Sequence, residues 1–277
     1  MAEISAKDVM ALRNKTGLAM MECKKALAEA EGDAERAEEI LRKKLKGKME
    51  TRTDRAAGEG RIAVAIAPDH TAATIVELKA ETDFSAKNEQ FIAGAQKIAE
   101  LALAEAAGDV AVTQEMTDIV DNLRISTGEN MSLGRVFKAE GGDAATFGSY
   151  VHHDGKTGVL IQAEGQIDAD TLRQICMHVT AAVPRPLGVS PDDVPAEMIE
   201  KERKFRVEQA VESGKPQEIA EKMVEGGMRK FYAEVALLEQ DYVVDPSKGK
   251  IKDLIGDAKL HAFHRWEVTV EAAAAAG

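Results

Sequence analysis

One local order occurs twice in this chain: an alternating run, a turn, a second alternating run, then a helical run. In the first copy Ile62, Val64 and Ile66 alternate, a turn follows at Pro68-Asp69, and Ile75-Val76-Glu77-Leu78-Lys79-Ala80 resumes the period of two. Phe91, Ala95, Ile98 and Ala102 then recur at helical spacing. In the second copy Phe147, Tyr150 and Val151 precede Asp154-Gly155, a strong hairpin turn signal between alternating runs. Val159-Leu160-Ile161-Gln162-Ala163-Glu164 follows, then a helix carrying Leu172, Ile175, Cys176, Val179 and Val183. Ala80-Glu81 aligns with Ala163-Glu164. A hairpin must bury one face, and a following helix is the nearest cover, so two copies imply an α+β core of two similar lobes.

The flanking segments read as helical. Ser5 with Asp8 resembles a capping pair before Val9, Met10 and Leu12, and Lys15-Thr16-Gly17 makes a turn. A second helix holds Met20, Met21, Cys23 and Leu27, and Gly32-Asp33 opens a third with Ile40, Leu41 and Leu45. Residues 1–47 are therefore expected to form a three-helix bundle with an exposed docking face, and 48–60, rich in Lys, Arg and Gly, a tethering linker. Core lobe 1 is expected over 61–143 and core lobe 2 over 144–184 and 241–277. Residues 185–240 read as an inserted antiparallel helical hairpin. Met198, Ile199, Phe205 and Val211 line one arm, Ser213-Gly214-Lys215-Pro216 turns, and Ile219, Met223, Phe231 and Val235 line the return. From Asp241 to Val270 the pattern is strand-like, before an alanine-rich tail.

A chain of 277 residues exceeds one ordinary core. Its net charge of −12 argues against nucleic-acid binding, which needs a cationic footprint. No apolar run reaches membrane-spanning length, and Met1-Ala2-Glu3-Ile4-Ser5 lacks the regions of a signal peptide, so a cytoplasmic protein is expected. Cys23 and Cys176 each sit on an apolar helical face and read as core residues.

Catalytic constellations are missing. Gly155-Lys156-Thr157 has Tyr150 where a phosphate-binding loop needs its first glycine, and it falls at a hairpin turn. His152-His153 cannot both point to one face of a strand, His261 and His264 lack a third ligand, and His178 reads as structural. Neither an enzyme nor a resident metal or cofactor is expected.

The junction Glu81-Thr82-Asp83-Phe84 stands out because the second repeat lacks Thr82-Asp83-Phe84. Two readings of it stand. An acid beside an aromatic on a strand-to-helix turn can project into a partner's pocket. Alternatively Phe84, seven residues before Phe91, starts the helix's buried face, with Thr82 or Asp83 as a plain N-cap.

Several segments, in order along most of the chain, resemble one family: bacterial-type translation elongation factor Ts, the guanine-nucleotide exchange factors of elongation factor Tu. They are Leu12-Arg13, Thr16-Gly17, Met20-Met21-Glu22-Cys23-Lys24-Lys25-Ala26-Leu27 and Gly32-Asp33, then Glu81-Thr82-Asp83-Phe84 with Ala86-Lys87-Asn88. Gly128-Glu129-Asn130, Gly148-Ser149-Tyr150 with His152, Met177-His178-Val179, Ser213-Gly214-Lys215-Pro216, Glu221-Lys222-Met223-Val224-Glu225-Gly226 and Asp245-Pro246-Ser247-Lys248 continue the match. The resemblance implies a ubiquitin-associated-like bundle and a coiled-coil hairpin that takes part in dimer contacts in some members. It implies binding to elongation factor Tu, GDP-bound and nucleotide-free. Thr82, Asp83, Phe84 and Ser85 then displace the partner's Mg²⁺, with Phe84 as the wedge, and Lys24, Thr127, Gly128, His152, Val243 and Val244 contact the partner. Two departures qualify this. Ser85 stands where members more often have a small apolar residue, and the extra C-terminal helix of some members is missing after Val270. The competing reading is an adaptor that recruits partners through its bundle, which explains residues 1–47 but not the Asp83-Phe84 junction.

Overall fold

A computed structural model describes residues 4–16, 18–50, 57–142, 144–214 and 216–269. Gly17, the middle of the expected linker (51–56), Lys215 of the expected hairpin turn and the tail from residue 270 lie outside them. The architecture is α+β, with two compact units: Met1–Ala65, Val76–Lys138 and Glu267–Gly277 in the first, Ile66–Ile75 and Ala139–Trp266 in the second.

The first unit opens with α1 (Ala6–Thr16), α2 (Met20–Glu29) and α3 (Ala34–Glu50). Each start and stop has a local cause. The Ser5 hydroxyl accepts the Asp8 amide at 3.1 Å, and Asp33 Oδ1 accepts the amides of Glu35 and Arg36 at 2.9 and 3.0 Å, satisfying donors that helix starts leave open. Val9, Leu12, Leu18, Cys23, Leu27 and Leu41 form its small core. Met20 and Met21, read in sequence among the apolar positions of α2, are exposed instead. The third helix runs through Glu50, into the segment expected as linker, and the first strand starts at Glu59.

That strand, β1 (Glu59–Ile66), pairs with β2 (Ala72–Ala80) in a four-stranded sheet of order β1-β2-β4-β3, where β3 is Gly108–Asp109 and β4 is Met131–Glu140. The helices of this unit are α4 (Asp83–Ala86), α5 (Glu89–Ala102) and α6 (Gln114–Thr127). Every residue of β2 is buried. Against it lie Phe91, Ala95 and Ile98 of α5 and Met116 and Val120 of α6, and full burial of a side chain such as Phe91 or Ile98 contributes roughly 1.5–3 kcal/mol. The close pairing also explains Gly60: its φ is +154°, and a Cβ there would sit 2.3 Å from the Leu78 carbonyl oxygen. The segment β3-α6-β4 has no counterpart among the elements expected from the sequence.

The second unit holds a three-stranded sheet of order β5-β6-β7, from β5 (Ala145–Val151), β6 (Thr157–Glu164) and β7 (Lys259–Glu267). The β5-β6 pair is antiparallel, with Tyr150 opposite Val159, as a turn at Asp154-Gly155 requires. Helix α7 (Ala169–Ala181) covers it so closely that a Cβ on Gly148 would lie 2.5 Å from Leu172 Cβ. Helices α8 (Ala196–Glu212) and α9 (Gln217–Val235) pack against each other. Their seam differs from the one expected: Ala210, Met228, Phe231 and Val235 are buried, while Phe205, Val211 and Ile219 are exposed. Met198 and Phe205, seven residues apart, lie within about 20° of one another around the helix, but Val211, six residues further on, is turned away by about 120°, so the three cannot share one buried stripe. The stretch 241–270 is also less strand-like than its composition. A 3₁₀ turn at Pro246–Lys248 and the short α10 (Ile251–Leu254) precede β7. His261 and His264 lie on that strand, and His261 Nε2 meets Glu164 Oε2 at 2.7 Å.

The division between units departs from the expected boundaries for visible reasons. Thr71, at the tip of the first hairpin, accepts the Gly141 amide at 2.9 Å. Glu77, buried on β2, accepts the Thr269 amide at 2.6 Å and the Thr269 hydroxyl at 2.8 Å, while Arg135 Nε of β4 donates to its other oxygen at 2.7 Å. Arg135 also donates to the Glu267 carbonyl at 3.0 Å. One carboxylate thus joins β2, β4 and the segment after β7. Burial pushes its pKa up, but the bonds from Thr269 and Arg135 outweigh this and hold it below the ordinary 4.5. A depressed folded value adds stability above pH 4.5 that is lost as pH falls through the folded value. Glu77→Gln should therefore flatten the acid limb of a melting-temperature profile, and Glu77→Ala should cost roughly 3 kcal/mol at neutral pH by denaturant titration.

Candidate functional site

At the end of β2 the chain does not pass straight into the covering helix. Thr82, with extended backbone, caps α4: its hydroxyl accepts the Ser85 amide at 3.3 Å. One turn later Asn88 breaks the helix, since its side chain accepts the Gln90 amide at 2.8 Å and starts α5 afresh. Phe84 and Phe91 therefore lie on different helices, and their spacing of seven puts them on no common face. Phe91 is fully buried, whereas Phe84 is 83% exposed. The ring is not the start of a buried stripe, although Thr82 is indeed an N-cap. The second repeat has no counterpart of α4: after β6, Asp168 caps α7 directly, accepting the Thr171 amide at 2.8 Å.

The turn after α6 holds this one-turn helix in place. Thr82 donates its hydroxyl proton to the Glu129 carboxylate, with oxygens at 2.9 and 3.1 Å, and Glu81 Oε2 accepts the Asn130 amide at 3.1 Å. Gly128 closes α6 in the left-handed conformation at φ 74°, donating to the Arg124 carbonyl at 2.8 Å. Thr127 donates to the Leu123 carbonyl at 2.8 Å and receives the Glu129 amide at 3.3 Å. The sequence-named residues Thr82 to Ser85 and Thr127-Gly128 are thus brought together, through Glu81, Glu129 and Asn130. In the sequence those three stand only as parts of motifs; the hydrogen bonds give them their place at the junction.

The side chains of the probe differ in what they offer. Phe84 presents a ring to solvent. Asp83 is half exposed and takes the Lys87 ammonium at 2.7 Å, and that bond, followed by the Asp83 charge, raises the Lys87 pKa. Such an exposed pair is weak and screened. Ser85 is buried, and its amide already serves the Thr82 cap. Its share in the site is the shape of the turn. On the bundle, Lys24 is exposed on α2 with Met20 and Met21, and Met10 of α1 is exposed as well.

Other sequence-named residues belong to the second unit. His152 sits in the turn after β5, its amide given to the Thr157 carbonyl at 2.8 Å and its Nδ1 3.4 Å from the Tyr150 hydroxyl. The rings of His152 and His153 lie 4.2 Å apart. The alternation rule expected to separate them applies within a strand, and β5 ends at Val151. Val243 and Val244 are 45% and 49% exposed, between buried Tyr242 and the Asp245 cap of the 3₁₀ turn. Among the described residues no three His, Cys, Asp or Glu side chains gather to hold a metal, and no helix is long and apolar enough to cross a membrane. Cys23 and Cys176 are free, buried thiols, and burial pushes that of Cys176 far up.

The family model described as Elongation factor TS matches residues 81–270. A protein named Elongation factor Ts from Thioalkalivibrio sulfidiphilus is similar at 42% identity over 274 residues, 96% of this chain and 92% of its own. Proteins of the same name from Hydrogenovibrio crunogenus and Yersinia pestis are similar at 44% over 274 residues and 42% over 271. The first covers 96% of this chain and 91% of the relative, the second 97% and 92%.

The geometry of the junction makes two stability predictions that can be read by thermal unfolding. Phe84→Ala should change stability by no more than about 0.5 kcal/mol, as for other exposed positions, where a buried ring would lose about 3–5 kcal/mol. Thr82→Ala should cost about 1 kcal/mol through the lost cap.

Proposed function

This chain belongs to the elongation factor Ts family, and on that premise we propose that it is a guanine-nucleotide exchange factor for elongation factor Tu. It binds the GDP-bound partner, promotes GDP release and so allows GTP to enter during polypeptide elongation. The exposed Phe84 ring, on a one-turn helix clamped at both its cap and its neighbouring turn, is the observation that carries this reading.

An exchange factor shifts an equilibrium only through differential affinity, so it must bind the nucleotide-free partner better than the GDP-bound one. Phe84 acts as a wedge in an apolar pocket of the nucleotide-binding domain. Asp83, released from Lys87, competes for the cation or amides that hold the phosphates and the Mg²⁺. Thr82 and Ser85 shape the turn that presents them. Lys24, the Thr127-Gly128 turn, His152 and Val243-Val244 supply further contacts that hold the partner in the released state. No bond in GDP is made or broken, so the protein is not an enzyme and needs no cofactor. The net charge of −12 supports a protein partner over a nucleic acid.

The finer architecture follows the same premise. The three N-terminal helices form a ubiquitin-associated-like docking bundle, the two hairpin-plus-helix lobes form the core, and α8-α9 form a coiled-coil hairpin through which two copies can pair. The protein works in the cytoplasm. A bundle-only adaptor would suit the exposed Met10, Met20 and Met21, but it leaves Asp83-Phe84 without a purpose.

Stopped-flow release of a fluorescent GDP analogue from elongation factor Tu tests the reading. The full chain should accelerate release strongly. Phe84→Ala should lower exchange efficiency about 30-fold, as for loss of a contact worth ~2 kcal/mol, and Asp83→Ala should also impair it. Absence of acceleration by the wild-type chain would overturn the proposal.

A further inference from the structure

Val243 and Val244 are two exposed apolar side chains on a loop, yet the backbone beneath them is fastened to the interior of the second unit. Tyr242, just before them, is buried and donates its hydroxyl to Gln174 of α7 at 3.1 Å. One turn further along α7 lies His178, fully buried. Its Nδ1 is 3.2 Å from the Val243 amide nitrogen, and its Nε2 is 3.0 Å from Gln240 Oε1.

The donors and acceptors around this histidine admit one assignment. A backbone N–H can only donate, so Nδ1 accepts and the ring proton resides on Nε2. Gln240 must then offer its oxygen, and its NH₂ group does face two carbonyls, Glu234 at 2.7 Å and Pro184 at 2.9 Å. The carbonyl of Glu234 belongs to the last turn of α9, where helices leave acceptors unpaired. A directed chain of hydrogen bonds therefore runs from the end of α9, through the Gln240 amide and the His178 ring, to the amide of Val243.

We propose that His178 is a positioning residue for the Val243-Val244 contact: it accepts the Val243 amide proton and fixes the backbone that displays the two valines. Burial lowers the pKa of His178, with the Gln240 bond acting weakly the other way, and this keeps the ring neutral and Nδ1 able to accept. Without an acceptor the Val243 amide loses its anchor to α7, and the valines must be ordered again at each encounter, a cost that preorganisation removes. The functional half of this inference rests on the reading that these valines meet elongation factor Tu; the hydrogen-bond strut itself does not.

Two conservative variants separate positioning from packing. In His178→Asn the side-chain amide oxygen falls near the place of Nδ1, whereas in His178→Gln the terminal amide falls near the place of Nε2. Three quantities are read on the full chain: the hydrogen-exchange rate of the Val243 amide, the efficiency of GDP release from elongation factor Tu, and the melting temperature. His178→Gln should speed Val243 amide exchange and lower GDP-release efficiency, each about tenfold, as expected for one lost hydrogen bond. His178→Asn should restore both to within about threefold even where its melting temperature is the lower of the two. His178→Gln should add no loss in a Val243→Ala/Val244→Ala background. If both variants lose exchange activity in proportion to their melting temperatures, His178 is only a packing residue and the proposal is overturned. A Val243→Ala/Val244→Ala variant as active as wild type would instead overturn the contact reading of the valines, while the amide exchange rates would still decide the strut.

Discussion

The burial of β2 on both faces is the constraint from which the first unit is built. A strand so placed needs a partner on each edge, supplied by β1 and β4, and α5 and α6 together cover the face that carries Val76, Leu78 and Ala80. Its one buried carboxylate, Glu77, adds a constraint that apolar packing cannot supply. Hydrogen bonds have direction, and those to Arg135 and Thr269 fix the register of β4 and the path of the last described residues. A partial loss of partners there leaves a buried charge exposed to its full desolvation penalty, so the arrangement is held or broken as a whole. The rigid platform matters because the probe at residues 82–85 grows directly from the strand's end.

The probe itself has almost no core. A helix of four residues cannot be stable alone, since its nucleation is unfavourable and only two i→i−4 bonds, Ala86 to Thr82 and Lys87 to Asp83, repay it. What holds it is external: the Thr82 cap, the Glu129 carboxylate on that same hydroxyl, and Glu81 on the Asn130 amide. This arrangement lets Phe84 stay in water without loosening the turn. A ring exposed for a partner forgoes its own burial energy, so the fold must obtain its stability elsewhere, here from β2 and its covers. Under the proposed function, recognition and stability are thereby separated in space.

Much of this organisation was legible in the chain. Both hairpins, the helices that cover them, and Cys23 and Cys176 as buried apolar residues follow from period and turn chemistry. The α4 break did not, because Phe84 and Phe91 stand two helical turns apart and the decisive signal is the cap at Asn88, a polar residue inside a helical pattern. The strand β4 was missed for a related reason: Met131 to Glu140 mixes Gly134, Arg135 and Lys138 into its alternation, and the buried Lys138 and the paired Arg135 have partners far away in sequence. In α8 the apolar residues are real but too widely scattered, and the small Ala210 rather than Phe205 sits in the seam. Site residues named by motif were legible as names; Glu81, Glu129 and His178 acquire their roles only through contacts 47 to 65 residues away.

The same device recurs at separate places. Exposed apolar groups stand on short, irregular backbone, and a polar side chain fixes that backbone from the interior side: Glu129 on the Thr82 cap for Phe84, and His178 on the Val243 amide for the two valines. An apolar contact in this role would hold the segment near its place but leave its rotation soft, because dispersion is nearly without direction. A hydrogen bond to a cap hydroxyl or a backbone amide fixes orientation as well as distance. For a protein whose proposed work is to favour one state of a partner over another, orientation is the quantity that matters. Two states of a partner expose similar apolar material and differ chiefly in its arrangement, so only a surface held in one geometry can bind them unequally.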